Sequence, residues 1–222
     1  MDSFIYDEKL ERELENEPHA LGEVRLLESI TEPGMVALDI GANKGLTTVA
    51  LARAVVPGGH VYAFEPVPEY YALLQANLSR NSVDNVKTLK CGVSNKSETV
   101  TFYKDGEGSG IVPQGSNETI SVNMTTLDTF ARQEGLDAID VISMDAEGSE
   151  LFILQGGEAT LHSGPLKIFC EIHRQRLEVL GQTVEELVDW LEKRGFHVQP
   201  VFADDLDSEV GYEKCTHIFA SR

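Results

Sequence analysis

Five acids and one histidine of this 222-residue chain stand where chemistry would need them. Asp39 lies two residues before Gly41 in the run Leu38-Asp39-Ile40-Gly41-Ala42-Asn43-Lys44-Gly45. Glu65 closes the apolar run Val61-Tyr62-Ala63-Phe64, twenty residues past Gly45. Asp145 and Glu147 are two apart in Met144-Asp145-Ala146-Glu147-Gly148, and Glu171 and His173 are two apart in Glu171-Ile172-His173. Residues two apart on an extended chain point the same way, so each pair presents its side chains together. A carboxylate at Glu65 can accept hydrogen bonds from both hydroxyls of a ribose. The imidazole of His173 titrates in the range a general base needs.

These residues require a scaffold that sets them side by side. Met35 to Leu38 is an apolar run, the glycine turn follows, Leu46 to Val56 has a helical pattern, and Pro57-Gly58-Gly59 leads into the second apolar run. Strand, glycine turn, helix, turn, strand is the mononucleotide-binding half of a doubly wound α/β fold. Gly41 permits a tight turn out of the strand, and Gly45 lets backbone approach a ligand at the helix start. The ligand is expected to contain adenosine. A dinucleotide fingerprint requires Gly-x-Gly-x-x-Gly, and the middle position here is Asn43. Asp39 suits a ligand carrying an ammonium and a sulfonium better than a pyrophosphate. Both details favour S-adenosylmethionine. Each acid has a structural alternative: Asp39 as a cap on the turn, Glu65 as the start of the next helix.

Lys and Arg number 18 against 37 Asp and Glu, a net charge of −19. Such a surface repels phosphate backbones and anionic membranes, so no nucleic-acid partner is expected. The charge serves solubility or high salt equally well as it would steer a cationic ligand. Cys91, Cys170 and Cys215 form no Cys-x-x-Cys pair and read as thiols of a reducing compartment. No apolar run reaches membrane-spanning length, and Met1-Asp2-Ser3 lacks the start of a signal peptide. A cytoplasmic protein is expected.

Two units are expected: a helical arm over 1–30, broken at Pro18, and one domain over 31–222. The arm could cover the cofactor, dock on the sheet edge or form a homodimer contact. Pro66 to Asn81 presents Tyr70, Leu73, Leu74, Asn77 and Leu78 on one face of a helix. Val86 to Val93 reads as a third strand, and Thr99–Lys104 with Thr119–Met124 as a hairpin. The glycine-dense stretch 105–115 between them is either a linker or a lid. Thr126 to Glu134 is a helix stopped by Gly135, Ile139 to Met144 a fourth strand, and Ser149 to Leu154 a helix ended by Gly156-Gly157. Lys167 to Cys170 is a fifth strand. Thr183 and Glu186 form a capping box on an amphipathic helix running to Arg194. Val198–Phe202 and Thr216–Ala220 form an antiparallel pair at the sheet edge, around the acidic loop 204–209. Trp190 reads as core, and the histidines other than His173 show no ligand spacing.

In an open α/β sheet, ligands bind outside the carboxyl ends of the strands. Those ends carry Asp39, Glu65, Cys91-Gly92, Asp145-Ala146-Glu147 and Glu171-Ile172-His173. With Thr126-Leu127-Asp128 and Glu150 added, this series from about 35 to 175 resembles the FkbM family of S-adenosylmethionine-dependent methyltransferases. The resemblance implies a mostly parallel seven-stranded sheet with the last strand antiparallel, and methyl transfer usually to oxygen. It places Asp39, Gly41, Asn43 and Gly45 around the methionine part, Glu65 at the ribose, Gly92 at the adenine side and Asp145 near the sulfonium. Glu147, Glu171 and His173 would face the acceptor. The family commonly carries Lys at the position of Ser143, so any contact made by that Lys is missing here.

The expected activity is O-methylation of a small-molecule hydroxyl or carboxylate, with His173, Glu171 and Asp145 catalytic. A hydroxyl needs a base, for which His173 is the candidate. A carboxylate needs a pocket cation, for which Arg174 and Arg176 are candidates. His173 could equally be a hydrogen-bonded strand-end histidine. No metal is expected, although Asp145, Glu147, Glu171 and His173 have the donors for a divalent ion. Two other readings stand beside this one: an NAD-dependent oxidoreductase on the same half-fold, and a non-catalytic cofactor-binding protein.

Overall fold

The computed structural model describes residues 3–6, 10, 14, 18–113, 115, 117–162, 164–201 and 211–222. The acidic loop at 204–209, Phe202 and much of the stretch before Pro18 lie outside them. In chain order the elements are α1 (Pro18–Ile30), β1 (Val36–Ile40), α2 (Leu46–Ala54), β2 (His60–Phe64), α3 (Pro68–Arg80), β3 (Val86–Leu89), β4 (Gly92–Val93), β5 (Thr99–Tyr103) and β6 (Thr119–Thr125). They continue with α4 (Leu127–Glu134), β7 (Val141–Met144), α5 (Glu150–Gln155), β8 (Lys167–Glu171), α6 (Arg174–Val179), α7 (Val184–Glu192), β9 (His197–Val201) and β10 (His217–Ser221).

The main sheet has seven strands in the order β3-β2-β1-β7-β8-β10-β9. β10 runs antiparallel to both β8 and β9, and the other contacts in the sheet are parallel. The strand order reverses between β1 and β7, which opens a crevice at their carboxyl ends. Both strands are apolar along nearly their whole length, because helices cover both faces. Leu38, Ile142, Ile168 and Ile218 face one core cluster, and Ala37, Val61, Val141 and Phe169 face another.

Local signals set the helix ends. Thr126 Oγ1 accepts from Thr129 N at the start of α4, and Gly135 ends that helix in the left-handed conformation. Thr183 and Glu186 close the capping box of α7. Before Pro18, Phe4 and Tyr6 are buried against α2 and α3. Tyr6 N donates to Asn81 Oδ1 at 2.6 Å, and Arg53 stacks its guanidinium 4.8 Å from the Tyr6 ring. Residues 3–6 therefore dock on the two helices.

The stretch 86–93 is not one strand. It splits at Lys90-Cys91: β3 stays in the main sheet, and Gly92-Val93 pairs in parallel with Met124-Thr125 of β6. β4, β6 and β5 form a separate three-stranded sheet, within which β5 and β6 are the expected hairpin. A Cβ at Gly92 would lie 2.5 Å from Met124 Sδ, so this glycine leaves room for the Met124 side chain where β4 pairs with β6.

Gly41 has a similarly internal reason. Its φ is +87°, and a Cβ there would lie 1.8 Å from the carbonyl oxygen of Asp145. The turn after β1 thus presses directly against the end of β7. Gly41→Ala is expected to destabilise the fold by about 3 kcal/mol or more, combining left-handed strain with overpacking. Urea unfolding measures it, and a loss under about 1 kcal/mol would refute the contact.

Candidate active site

The crevice between β1 and β7 is walled by three turns. After β1, Gly41 N and Ala42 N both donate to Phe64 O at 3.0 Å, which fastens the glycine turn to the end of β2. After β2, Glu65 is 4% exposed and braces the same region. Its Oε2 accepts from Asn43 N at 2.8 Å and its Oε1 from Val67 N at 2.7 Å. Burial pushes Glu65 up from 4.5 to about 7, with the two backbone N–H donors opposing and the nearby Asp39 charge adding to the rise. Each oxygen retains a lone pair toward the cleft that Glu65 lines.

That cleft holds about 590 Å³ and has two characters. One end is apolar, where Val67, Val93, Phe102 and Met124 surround Gly92. The other is polar, where Asn43, Glu65 and Asp145 converge. Asn43 Oδ1 and Asp145 Oδ1 are buried and make no hydrogen bond within the chain. Paired polar groups are the rule in protein interiors, so these two acceptors suit a ligand rich in donors. An adenosyl group extended by an amino-acid tail fits both ends.

Asp39 is 2% exposed and its carboxylate is already engaged. Oδ2 accepts from Thr47 Oγ1 at 3.0 Å and from the Thr48 hydroxyl. Ser143, its register partner on β7, hydrogen-bonds it as well. A lysine at 143 would have met Asp39 as a cation, and here a hydroxyl takes that place. Burial raises Asp39 above 3.8 despite these three donors. Gly45 starts α2 in the left-handed conformation, and a Cβ there would lie 2.6 Å from Leu74 Cδ1. Its φ of +91° favours glycine within the chain itself, and the end of the Leu74 side chain would have to shift to admit a Cβ.

The third wall is the β7–α5 turn with the end of β8. His173 lies between four carboxylates: Nδ1 is 2.8 Å from Glu150 Oε1, and Nε2 is 3.0 Å from Glu147, 3.6 Å from Asp145 and 3.7 Å from Glu171. Burial alone would lower the imidazole's pKa. The hydrogen bonds to Glu147 and Glu150 and the Asp145 charge outweigh it and push His173 from 6.5 to about 11. The surrounding carboxylates favour the protonated ring, which has no lone pair to accept a proton and so speaks against the base role expected of His173. Its neighbours move the other way. Burial and the Glu171 charge raise Asp145 well above 3.8, and burial raises Glu171.

Glu147 sits at φ +53°, a left-handed conformation imposed where the chain reverses into α5. Its Oε2 also meets Arg176 Nη1 at 2.7 Å, and the same nitrogen donates to Gly108 O at 2.8 Å. The 105–110 stretch thereby rests on the site as a wall, and Lys44 Nζ reaches Glu107 at 2.5 Å across the cleft mouth. Arg174 donates to Tyr212 O. Neither arginine proposed for a carboxylate acceptor is spare. Lys44 and Glu107 were not expected at the site, since their pairing is a long-range contact, whereas Arg176 was named as a pocket cation and instead pairs with Glu147. Glu150 had a signal, lying three residues past Glu147 at a helix start. Two triads, Asp145–Glu171–His173 and Glu23–Glu171–His217, bring metal-ligating atoms within 4.8 Å of one another.

A family profile described as "Methyltransferase FkbM domain" matches residues 39–198. The chain is 27% identical to the 2-O-methyltransferase NoeI of Sinorhizobium fredii, over 62% of this chain and 63% of NoeI. It is 28% identical to the 31-O-demethyl-FK506 methyltransferase FkbM of Streptomyces tacrolimicus, over 77% of each. Against the methyltransferase sdnD of Sordaria araneosa it is 29% identical and spans 59% of that protein's length. The chain thus spans about six tenths of sdnD and NoeI. Its fold is that of a SAM-dependent methyltransferase from Aquifex aeolicus, with a TM-score of 0.53, 18% identity, and 97% and 98% of the two chains covered. An O-methyltransferase from Bacillus cereus solved with SAH has the same fold, with a TM-score of 0.53, 13% identity, and 91% and 79% covered. Among the described residues, no helix is long and apolar enough to cross a membrane.

The His173 cluster carries a stability signature. Its folded pKa is raised from 6.5 to about 11, so its contribution is full below pH 6.5 and disappears as pH rises through about 11. His173→Asn is expected to lower the thermal midpoint at pH 6 by roughly 5 °C, the scale of about 2 kcal/mol in a chain of this size. The difference should vanish above pH 11. A pH-independent difference in calorimetric scans would contradict the charged ring.

Proposed function

The chain belongs to the FkbM methyltransferase family, and from that premise we propose that it methylates a hydroxyl oxygen of a small molecule. S-adenosylmethionine is the methyl donor, and when bound it supplies an electrophilic methyl on a sulfonium. Family membership sets aside the oxidoreductase reading. The observation that carries the proposal is the ring of carboxylates around His173, set beside a cleft in which the buried Oδ1 atoms of Asn43 and Asp145 accept no hydrogen bond from the chain.

Glu65 binds the ribose hydroxyls with its cleft-facing lone pairs. Gly92 and its apolar neighbours border the adenine. Gly41, Asn43 and Gly45 lie along the methionine part, with Asp39 holding their turn in shape through Thr47 and Thr48. Asp145 stands at the sulfonium end. Glu147, Glu171 and His173 face the acceptor. Because His173 is already protonated, a carboxylate takes the hydroxyl proton, and Glu171 and Asp145 have the raised affinity for it. His173 keeps those carboxylates gathered and positioned. Alignment of the acceptor oxygen with the methyl supplies most of the acceleration.

A hydroxyl acceptor is favoured over a carboxylate because Arg174 and Arg176 are tied to Tyr212, Glu147 and Gly108. The printed names of NoeI and FkbM, which specify O-methylation, point the same way.

Two measurements test this reading. Incubation with methyl-labelled S-adenosylmethionine and a library of small alcohols should give labelled methyl ethers; labelling confined to amines, or none at all, would reject hydroxyl transfer. Glu65→Gln should weaken S-adenosylhomocysteine binding at least tenfold, the scale of a charge-assisted hydrogen bond of about 1.5–3 kcal/mol. In the native protein that affinity should rise with pH through about 7, as Glu65 ionises, and the variant should lose this dependence. Equal affinities in calorimetric titration would remove Glu65 from the ribose.

A further inference from the structure

Glu23, Glu171 and His217 meet although each comes from a different part of the chain. Glu23 lies on α1, Glu171 is the last residue of β8, and His217 is the first residue of β10. The antiparallel register of β8 and β10 sets His217 opposite Glu171, and α1 brings Glu23 to the same ring. His217 Nε2 is 3.1 Å from Glu23 Oε1 and 3.8 Å from Glu171 Oε2. One donor atom from each of the three residues lies within 4.8 Å of the others. Their separation along the chain is why no ligand spacing shows in the sequence. Neither Glu23 nor His217 lines the adenosyl cleft.

His217 is held as a metal-ligating histidine would be. It is 3% exposed, and its ring lies flat on Phe169, with centroids 4.8 Å apart and planes 2° from parallel. Nδ1 is 2.9 Å from Thr216 Oγ1. A hydroxyl that accepts from Nδ1–H leaves the lone pair on Nε2, and ligating histidines are usually oriented through their other nitrogen in this way. Nε2 is buried and makes no hydrogen bond, although Glu23 stands only 3.1 Å away. With its plane fixed by the stacking, the ring thus aims this nitrogen past both carboxylate oxygens. A buried polar atom left without a partner suits a ligand at that point. Charge balance points the same way, since two carboxylates beside a neutral imidazole carry two negative charges that one divalent ion cancels.

We propose that Glu23, Glu171 and His217 bind a divalent transition-metal ion of the zinc class. In tetrahedral zinc sites, Zn–N of about 2.0–2.1 Å and Zn–O of about 2.0–2.2 Å set neighbouring donors roughly 3.3 Å apart. The two distances from His217 Nε2 bracket that spacing. An imidazole donor favours zinc over magnesium and calcium, which take oxygen ligands. The three side chains also line a second cavity, of about 1000 Å³, which gives water room at the remaining coordination position. Bound there, the ion ties α1 to the carboxyl end of β8 and the start of β10. The other oxygen of Glu171 is 3.7 Å from His173, so the ion also fixes one member of the His173 cluster. Glu171 then serves as a ligand, and Asp145 is left as the proton acceptor. Binding of the ion itself does not depend on the methyl-transfer reading.

Protein stripped with EDTA and dialysed is titrated calorimetrically with ZnCl₂, and separately with MgCl₂. Zinc is expected to bind at least roughly tenfold more tightly than magnesium. Glu23→Gln and His217→Gln, each with its thermal midpoint checked, should weaken zinc binding by roughly tenfold or more. His173→Asn, which removes a donor of the neighbouring triad, should not weaken it. Crystals grown with ZnCl₂ and measured at the zinc absorption edge should show an anomalous peak about 2.0–2.1 Å from His217 Nε2. If His217→Gln does not fold, Glu23→Gln and the anomalous peak decide the matter. Equal affinity for the two ions, zinc affinity untouched by Glu23→Gln, or anomalous density confined to other histidines would each overturn the assignment.

Discussion

A single positive ring holds the business end of this sheet together. Asp145, Glu147, Glu150 and Glu171 come from two chain segments, and all four reach His173 within 3.7 Å. Four carboxylates at that spacing repel one another, and burial makes each charge more expensive. At an effective dielectric of about 20, one attraction to the imidazolium at ~4 Å is worth about 4 kcal/mol before desolvation, so the ring offsets a repulsion of similar size. The β7–β8 ladder already brings the two strand ends together, and without the ring's charge the four carboxylates there would be left facing one another. The left-handed Glu147 and the contact from Arg176 to Gly108 follow from the same gathering, because the turn must aim Glu147 inward and the 105–110 stretch must rest on what results.

Beside this cluster, the chain closes the crevice from within. The turn after β1 lies so near Asp145 that only glycine fits at 41, and its amides are committed to the end of β2. That junction separates an adenosyl cleft from a second, acid-lined cavity and leaves them joined at Gly41 and Asp145. The geometry puts the effort of catalysis into orientation, in keeping with an in-line displacement that needs little covalent help from the protein. The strong negative charge of the chain, −19, is consistent with a site that draws in a cationic donor.

Much of this was legible in the residues. The half-fold from Met35 to Pro66, the capping box at Thr183, the hairpin of β5 and β6 and the antiparallel final strand all rest on local patterns that the structure reproduces. The strand-end acids were legible too, since an α/β sheet has one functional edge and alternation along a strand says which side chains share a face. Other readings failed for identifiable reasons. The run 86–93 contains no strong breaker at Lys90-Cys91, and it divides because Gly92-Val93 finds a partner more than thirty residues away in β6. At Gly45 and Gly92 the structure adds a reason the sequence could not show, since a Cβ there would meet the side chains of Leu74 and Met124.

The sequence by itself determined the fold class, the cofactor and the roster of acids, because periodicity, turn chemistry and strand-end position are properties of short segments. Only the tertiary structure decided what those acids do. The raised pKa of His173 depends on carboxylates at 145, 147, 150 and 171 arriving together, the engagement of Arg174 and Arg176 depends on Tyr212, Glu147 and Gly108, and Glu23 and His217 meet across nearly the whole chain. The physical reason is common to all three. Charge, hydrogen-bond supply and enclosed space depend on distances between residues far apart in the chain, and folding alone sets those distances.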